Sequence, residues 1–291
     1  LSITARHLAK TDVILSKIIA WAQSEDNIRA VILIGSKAQE NSCDQLSDYD
    51  ISIFCNNDAA YTCNEKWLTA IGDVWVFLPE KIHRDNKDYP TRLVIFDKGV
   101  KIDFAFYSIE VLQNLTEAHP LPVDYNLGYQ ILVDKDNLTK NMSQPSATLN
   151  IEKPTEKVFR SLVEEFWFEA YHVAKYLHRE DLWSVKFRDH GIKDHLLLKM
   201  IEWHAQATRQ WTFSPHPYGK QMQSWVEKDV WNALQECFAL FNPQDSWKAL
   251  MNTIKLFRRL STETAEMLEY QYPTAVDKNI SGFIARLKDA S

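Results

Sequence analysis

The segment from Val31 to Phe54, VILIGSKAQENSCDQLSDYDISIF, constrains the fold more than any other stretch of the chain. Val31-Ile32-Leu33-Ile34 is a short apolar run rich in β-branched residues, and Gly35 follows where the backbone needs a conformation or an approach that a side chain would block. This reads as a buried strand and a turn. Ser36 with Gln39 three residues on fits a capping box, which predicts a short helix whose free N–H groups face whatever lies over the turn. A phosphate suits that place. After a polar stretch, Asp48-Tyr49-Asp50 opens a second strand, Ile51-Ser52-Ile53-Phe54. Strand side chains alternate, so Asp48 and Asp50 face one way and Tyr49 the other.

Two carboxylates in one small site repel each other unless a cation lies between them, and Mg²⁺ takes carboxylate oxygens together with substrate phosphates. The pair therefore implies a metal-nucleotide. Lys101-Ile102-Asp103-Phe104-Ala105-Phe106-Tyr107 is an alternating strand that offers a third acid, with Asp103 facing the same way as Ala105 and Tyr107. Three carboxylates around Mg²⁺ can clamp the attacking and leaving oxygens of an in-line phosphoryl or nucleotidyl displacement. Taken singly, a Gly-Ser turn is common and an Asp-x-Asp strand start is more often a solvated turn with Asx capping than a site. In combination the order is strand, Gly-Ser, helix, a dozen residues, Asp-x-Asp on a strand, then a later strand carrying Asp. That order and spacing resemble the nucleotidyltransferase superfamily that includes DNA polymerase β.

The 291 residues, 45% of them apolar, suffice for one large or two ordinary domains with filled cores. A net charge of −6 argues against a broad basic face for nucleic acid and fits a small cationic substrate. No nucleic-acid partner is expected. Cys43, Cys55, Cys63 and Cys237 show no C-x-x-C spacing, which points to a reducing compartment and ordinary thiols. No apolar run has the length of a membrane span, and Leu1-Ser2-Ile3-Thr4 lacks a signal pattern, so no membrane partner is expected and a cytoplasmic monomer is.

Leu8, Val13, Ile14, Ile18 and Trp21 fall near helical spacing between Thr4 and Ser24. Beyond the acidic strand a helix is predicted from Asp58 to Leu68, strands at 74–77 and 92–96 separated by a polar loop through Tyr89-Pro90, a hairpin-like turn at Asp97-Lys98-Gly99, and a strand at 130–134. Near Asn141 the pattern changes from strand-rich to helical, with a polar, Pro-containing linker between about 140 and 153. The expected fold class is α+β: a domain over 1–145 with a mixed sheet flanked by helices, then an all-helical bundle over 153–291.

The second domain opens at Pro154-Thr155 with a helix running to about His178. Val158, Leu162, Phe166, Ala170, Val173 and Leu177 form its expected core stripe, and Glu164, Trp167, Tyr171 and Lys175 form a second stripe that either lines a cleft or packs on a neighbouring helix. Further helices are predicted over 182–209, 219–241, 244–270 and 279–290, with Trp203, Trp211, Trp225, Trp231 and Trp247 filling the bundle core. The histidines show no zinc spacing, and no P-loop, G-x-G-x-x-G fingerprint or G-x-S-x-G elbow is present.

A closer resemblance rests on Gly35-Ser36, Asp48-Tyr49-Asp50, Gly99-Val100-Lys101-Ile102-Asp103, Val133-Asp134-Lys135-Asp136, Glu165-Phe166-Trp167, Val173-Ala174-Lys175, Met200-Ile201-Glu202-Trp203, Gly219-Lys220 and Tyr270-Gln271-Tyr272-Pro273. In this order they resemble the aminoglycoside 6-adenylyltransferase (streptomycin adenylyltransferase) family over nearly the whole chain. The resemblance implies a polymerase-β-like nucleotidyltransferase domain, a helical domain with the substrate between the two, and transfer of AMP from Mg-ATP to a hydroxyl of streptomycin with release of pyrophosphate. It implies further that Asp48 and Asp50 are the metal-binding pair, that Gly35 and Ser36 form the triphosphate turn, and that Asp103 is the third acid, as metal ligand or general base. Lys37 stands where relatives carry Arg, keeping a cation near phosphate without bidentate geometry. Phe168 stands where a second Trp is familiar. A cationic drug fits Glu164, Glu165, Glu169 and Glu202 beside Trp167 and Tyr171, and Lys175 is expected at the triphosphate. A different acceptor, such as another aminoglycoside, an RNA or a protein, is the alternative on the same site, and a non-catalytic nucleotide-binding protein is the alternative outside enzymes.

Overall fold

The computed structural model of the protein describes residues 12–39, 46–84, 86–146, 151–215 and 217–291, which form two units, Leu1–Leu149 and Asn150–Ser291. The part of the predicted first helix from Thr4 to Thr11, residues 40–45 including Cys43, and the linker positions 147–150 lie outside the described residues. Among the described residues no helix is long and apolar enough to cross a membrane.

In the first unit, helix α1 (Val13–Ser24) starts at Asp12, whose Oδ1 accepts from the backbone N–H groups of Ile14 and Leu15 at 3.0 and 3.2 Å. Leu15, Ile18, Trp21 and Ala22 are its buried face. Six strands follow: β1 (Ile28–Ile34), β2 (Tyr49–Cys55), β3 (Val74–Arg84), β4 (Lys87–Phe96), β5 (Lys101–Ser108) and β6 (Gln130–Asp134). They make one sheet in the order β3-β4-β5-β2-β1-β6. The β2–β5 pair is parallel and the other pairs are antiparallel, which makes the sheet mixed.

The two faces of the sheet are covered differently. On one, α1 and the rings of Trp21, Tyr61, Trp67, Phe104 and Phe106 pack together with Ile51, Ile53 and Ile102. On the other, α2 (Ile109–Glu117) and the turn at Val123–Asn126 place Leu112, Leu115 and Tyr125 over Ala30, Ile32, Phe54 and Tyr107. Tyr125 keeps its buried hydroxyl satisfied by donating to Ser52 Oγ at 2.9 Å. The strand starts at Asp50 and Asp103 remain partly open on this second face.

Two expectations for this unit change. The predicted polar loop through Tyr89-Pro90 is the far end of a β3–β4 ribbon, with Pro79 opposite Arg92 and Pro90 opposite Lys81. Proline misled the reading because β3 is an edge strand and β4 pairs with β5 only from Thr91 to Ile95, so each proline has a single neighbouring strand. The helix predicted over Asp58–Leu68 is split into the short turns Ala59–Thr62 and Lys66–Ala70.

Among its described residues the second unit has helices and no strand: α3 (Glu156–His178), α4 (Leu182–Gly191), a π-helical stretch (Ile192–Leu197), α5 (Leu198–Thr208), α6 (Lys228–Gln235), α7 (Pro243–Leu268) and α8 (Thr274–Asp289), with short turns at Pro217–Gly219 and Met222–Trp225. Thr155 caps α3, and Asn242 followed by Pro243 starts α7, as the sequence rules for helix starts require. The helix predicted over 219–241 is interrupted because Val226 is extended, and it resumes at Lys228. Trp203, Trp225 and Trp247 are buried as expected, whereas Trp211 and Trp231 are half-buried. The core stripe of α3 is Phe159, Val163, Phe166, Trp167, Ala170, Val173, Ala174 and Leu177, while Val158 is exposed and Leu162 half-buried. Phe166 stacks on Phe257 of α7 with ring centroids 3.6 Å apart, both rings wholly buried. Truncating Phe257 to alanine should cost about 3–5 kcal/mol, read as a lowered urea midpoint by tryptophan fluorescence, and a loss below about 1 kcal/mol would place the stack outside the core.

Candidate active site

The parallel register of β2 and β5 sets Asp50 directly opposite Asp103. Ile34, the last residue of β1, is opposite Asp50, so the turn that follows runs against the same carboxylate. Gly35 takes φ 72°, and a Cβ built on it would lie 2.1 Å from Asp50 Oδ2. Only glycine allows this contact. Asp48 sits just ahead of β2, and Lys101 joins it to Asp103: the ammonium donates to Asp48 Oδ2 and to Asp103 Oδ2, each at 2.8 Å. The structure thus brings together the three acids singled out in the sequence.

Tyr49, between the two acids, points to the opposite face and donates from its hydroxyl to Asp12 Oδ2 at 2.7 Å. The carboxylate that caps α1 therefore also fixes the start of β2.

The site is short of positive charge. Burial, and next the charge of Asp103, push the Asp50 carboxyl up to about 6, against the pull of Lys101. Asp103 Oδ1 is buried and has no hydrogen-bond partner. An orphaned carboxylate oxygen beside a carboxyl driven toward neutrality fits a hard divalent cation, which takes oxygen ligands. Among the described residues no three acidic, imidazole or thiol groups stand in an arrangement that could hold a metal ion. Between Asp48 and Asp103 it is the Lys101 ammonium that fills the space.

A cavity of about 410 Å³ opens beside the acids, lined by Gly35, Asp50 and Asp103 and also by Arg84, Tyr107 and Asp124. Arg84 is paired with Asp124. A larger cavity, about 590 Å³, lies in the helical unit among Leu197, Ile201, Met222 and Leu234. Its walls are mainly apolar, with His190 and Asp194 among them, and its buried cation, Lys193, is already paired with Asp189.

The expected helix after Gly35 is a single 3₁₀ turn, Ser36–Ala38, and Gly35 rather than Ser36 occupies the cap position. Ser36 and Lys37 follow Gly35 in this turn, and the Lys37 ammonium lies 4.8 Å from the ring centroid of Tyr49, the residue that faces away from the acids.

In the helical unit Trp167 does not line a cleft. It is wholly buried, donates from its indole N–H to Tyr272 Oη at 3.3 Å, and lies under the Arg258 guanidinium. The expectation that its ring contacts a ligand fails because Trp167 belongs to the core stripe of α3, one residue round from where the spacing put it. Tyr171 and Lys175 are brought together, with the ammonium 5.0 Å from the ring centroid, and both are half-buried. Glu165 is exposed, Glu164 pairs with Arg160 at 2.8 Å, Glu169 with Arg188 at 2.9 Å and Glu202 with Lys199 at 3.1 Å.

Lys101, Arg84, Tyr107 and Asp124 were not assigned to the site by the sequence reading. Lys101 was legible, because two-residue alternation puts it on the same face as Asp103. Arg84 was not, since the ribbon that carries it reads as a loop. The charge shortage has a measurable consequence in metal-free buffer. Asp50 rises from an ordinary 3.8 to about 6, so the native state holds a proton that the unfolded chain releases across that window. Stability from this group is therefore present at the acid end and lost as pH rises through about 6. Asp50→Asn, with no charge to bury, should be more stable than the parent at about pH 8, by on the order of 2–3 kcal/mol, with the gap closing toward about pH 4. A gap that does not change with pH contradicts this.

The family described as streptomycin adenylyltransferase matches the chain over residues 9–287. An aminoglycoside 6-adenylyltransferase of Campylobacter jejuni is 27% identical over 279 residues, covering 93% of both chains. Proteins of the same name from Staphylococcus aureus and Bacillus subtilis (strain 168) are each 27% identical, covering 93% and 87% of this chain and 96% and 89% of their own. The crystal structure of an aminoglycoside 6-adenyltransferase from Bacillus subtilis superposes with a TM-score of 0.45 at 22% identity, covering 94% of this chain and 97% of that one. With nearly the whole length matched by one family, the chain belongs to the streptomycin adenylyltransferase family.

Proposed function

We propose that this protein transfers AMP from Mg-ATP to a hydroxyl of an aminoglycoside, streptomycin at the 6-position foremost, and so inactivates the drug. The carrying observation is the register that sets Asp50 beside Asp103 against the Gly35 turn. In this reading the acceptor oxygen forms a bond to the α-phosphorus, the bond from that phosphorus to the bridging oxygen breaks, and pyrophosphate leaves. Asp48 and Asp50, with Asp103, would hold Mg²⁺, which supplies neutralisation of the charge that develops on the leaving pyrophosphate.

The chain's own groups do the rest. The Gly35-Ser36 turn receives the triphosphate, and the Lys37 ammonium, which rests over the Tyr49 ring, turns toward it when nucleotide binds. Asp103 either joins the ligand set or takes the hydroxyl proton on Oδ1, the oxygen with no hydrogen-bond partner. Lys175, whose ammonium lies over the Tyr171 ring, is the further cation assigned to the nucleotide. Glu164, Glu165, Tyr171 and Glu202 take the cationic groups of the drug by charge and ring contact. Trp167 has no direct part in this set, because its burial leaves it no surface to offer.

The test is pyrophosphate release from Mg-ATP with and without streptomycin. Release should require the drug and fall at least about a hundredfold in Asp48→Asn, as expected for loss of a charged group acting on the transition state. Release independent of streptomycin, or undiminished in the variant, overturns the assignment. Lys175→Ala should raise the KM for ATP, and an unchanged KM with unchanged kcat removes Lys175 from the nucleotide site.

A further inference from the structure

Lys101 occupies an unusual place for a lysine. It starts β5 two residues before Asp103, on the same face, and its ammonium is shared equally by Asp48 and Asp103 at 2.8 Å. Asp48 immediately precedes the other strand of the parallel pair, so this cation ties the two strand starts across the acid cluster. Its side chain is 35% exposed, and those of Asp48 and Asp103 are 44% and 28% exposed. The ammonium can therefore leave along its flexible stem without breaking the core. Ion pairs at such exposure are weak and yield readily to a divalent ion that binds carboxylate oxygens directly.

One further feature shows that the bridge is incomplete as a charge partner. Lys101 engages only Oδ2 of Asp103, and Oδ1 remains buried with no hydrogen-bond partner. A monovalent ammonium thus occupies part of a space whose oxygens call for more charge.

We propose that Lys101 is the resident counter-cation of the acid site, holding Asp48 and Asp103 together in the absence of a divalent ion and withdrawing from both when one binds. Lys101 is a positioning residue in this account: it keeps the acids from splaying apart while the site is empty of metal, and it sets how tightly metal binds before nucleotide arrives. The proposal rests on the reading of Asp48, Asp50 and Asp103 as cation ligands.

The experiment is calorimetric titration of Mn²⁺ into the full chain without nucleotide. Lys101→Met keeps the length of the stem and removes the charge. Its dissociation constant for Mn²⁺ should fall at least about tenfold below that of the parent, since a competing cation within bonding distance of two ligands has been taken away. Lys101→Arg, which retains the charge, should stay close to the parent. An unchanged or raised constant in Lys101→Met, beside lost binding in the Asp48→Asn, Asp50→Asn double variant, overturns the proposal and leaves the metal-site reading standing. If the double variant binds Mn²⁺ as tightly as the parent, the metal-site reading fails and the proposal with it. Should Lys101→Met not fold, acetylation of the parent protein by an activated ester, read by peptide mass spectrometry, decides the matter. The Lys101 amine should label faster with Mn²⁺ than without, and equal or slower labelling overturns the proposal.

Discussion

The first unit depends on one register. Parallel pairing of β2 with β5 puts the carboxylates of Asp50 and Asp103 side by side at the starts of two central strands. Like charges there repel, and the surrounding chain is arranged to tolerate them. The apolar runs Ile51–Phe54 and Phe104–Phe106 lock the strands by burial on the side away from the acids and further along them. Gly35 removes the Cβ that would collide with Asp50, and Lys101 places a positive charge between Asp48 and Asp103. Shifting β5 by one residue would turn Asp103 into the core and bring Ile102 or Phe104 to the site, so hydrophobic burial and site geometry specify the same register.

In the helical unit a different polar system gathers around the buried Asp277. Asp277 receives two hydrogen bonds from Arg258, both at 2.6 Å, and one from the Tyr272 hydroxyl at 2.8 Å, while Trp167 donates to that same hydroxyl. These groups join α3, α7 and α8 and satisfy one another. Such a network fixes relative helix positions, because breaking one partner leaves a buried charge or hydroxyl unpaired. It also accounts for Trp167: an aromatic residue next to acidic ones along a helix belongs here to an internal hydrogen-bonded layer and not to a ligand wall.

Much of the fold was legible because its signals are local. The short apolar strand, the glycine turn and the acid-headed strand between Val31 and Phe54 are continuous runs that become central strands buried along nearly their whole lengths, and the change to helical spacing after Asn141 precedes the helical unit. What escaped depends on contacts distant in sequence. Pro79 and Pro90 argue for a loop until it is known that each faces a single neighbouring strand. The buried stripe of α3 is offset from its predicted line because Phe159, Val163 and Ala174 also face inward, making the apolar arc wider than one row. At the site, the three acids could be read from alternation, but Arg84 and Asp124 meet only through tertiary structure, 40 residues apart.

The central claim is that Asp48, Asp50 and Asp103 form one cation site whose charge Lys101 balances only in part. Anomalous diffraction from crystals of the protein soaked in Mn²⁺ tests it most directly. The account predicts an anomalous peak against the carboxylates of Asp50 and Asp103, with the Lys101 side chain turned away from Asp48. A peak elsewhere in the molecule, or an acid cluster without one and with Lys101 still bridging Asp48 and Asp103, would contradict it.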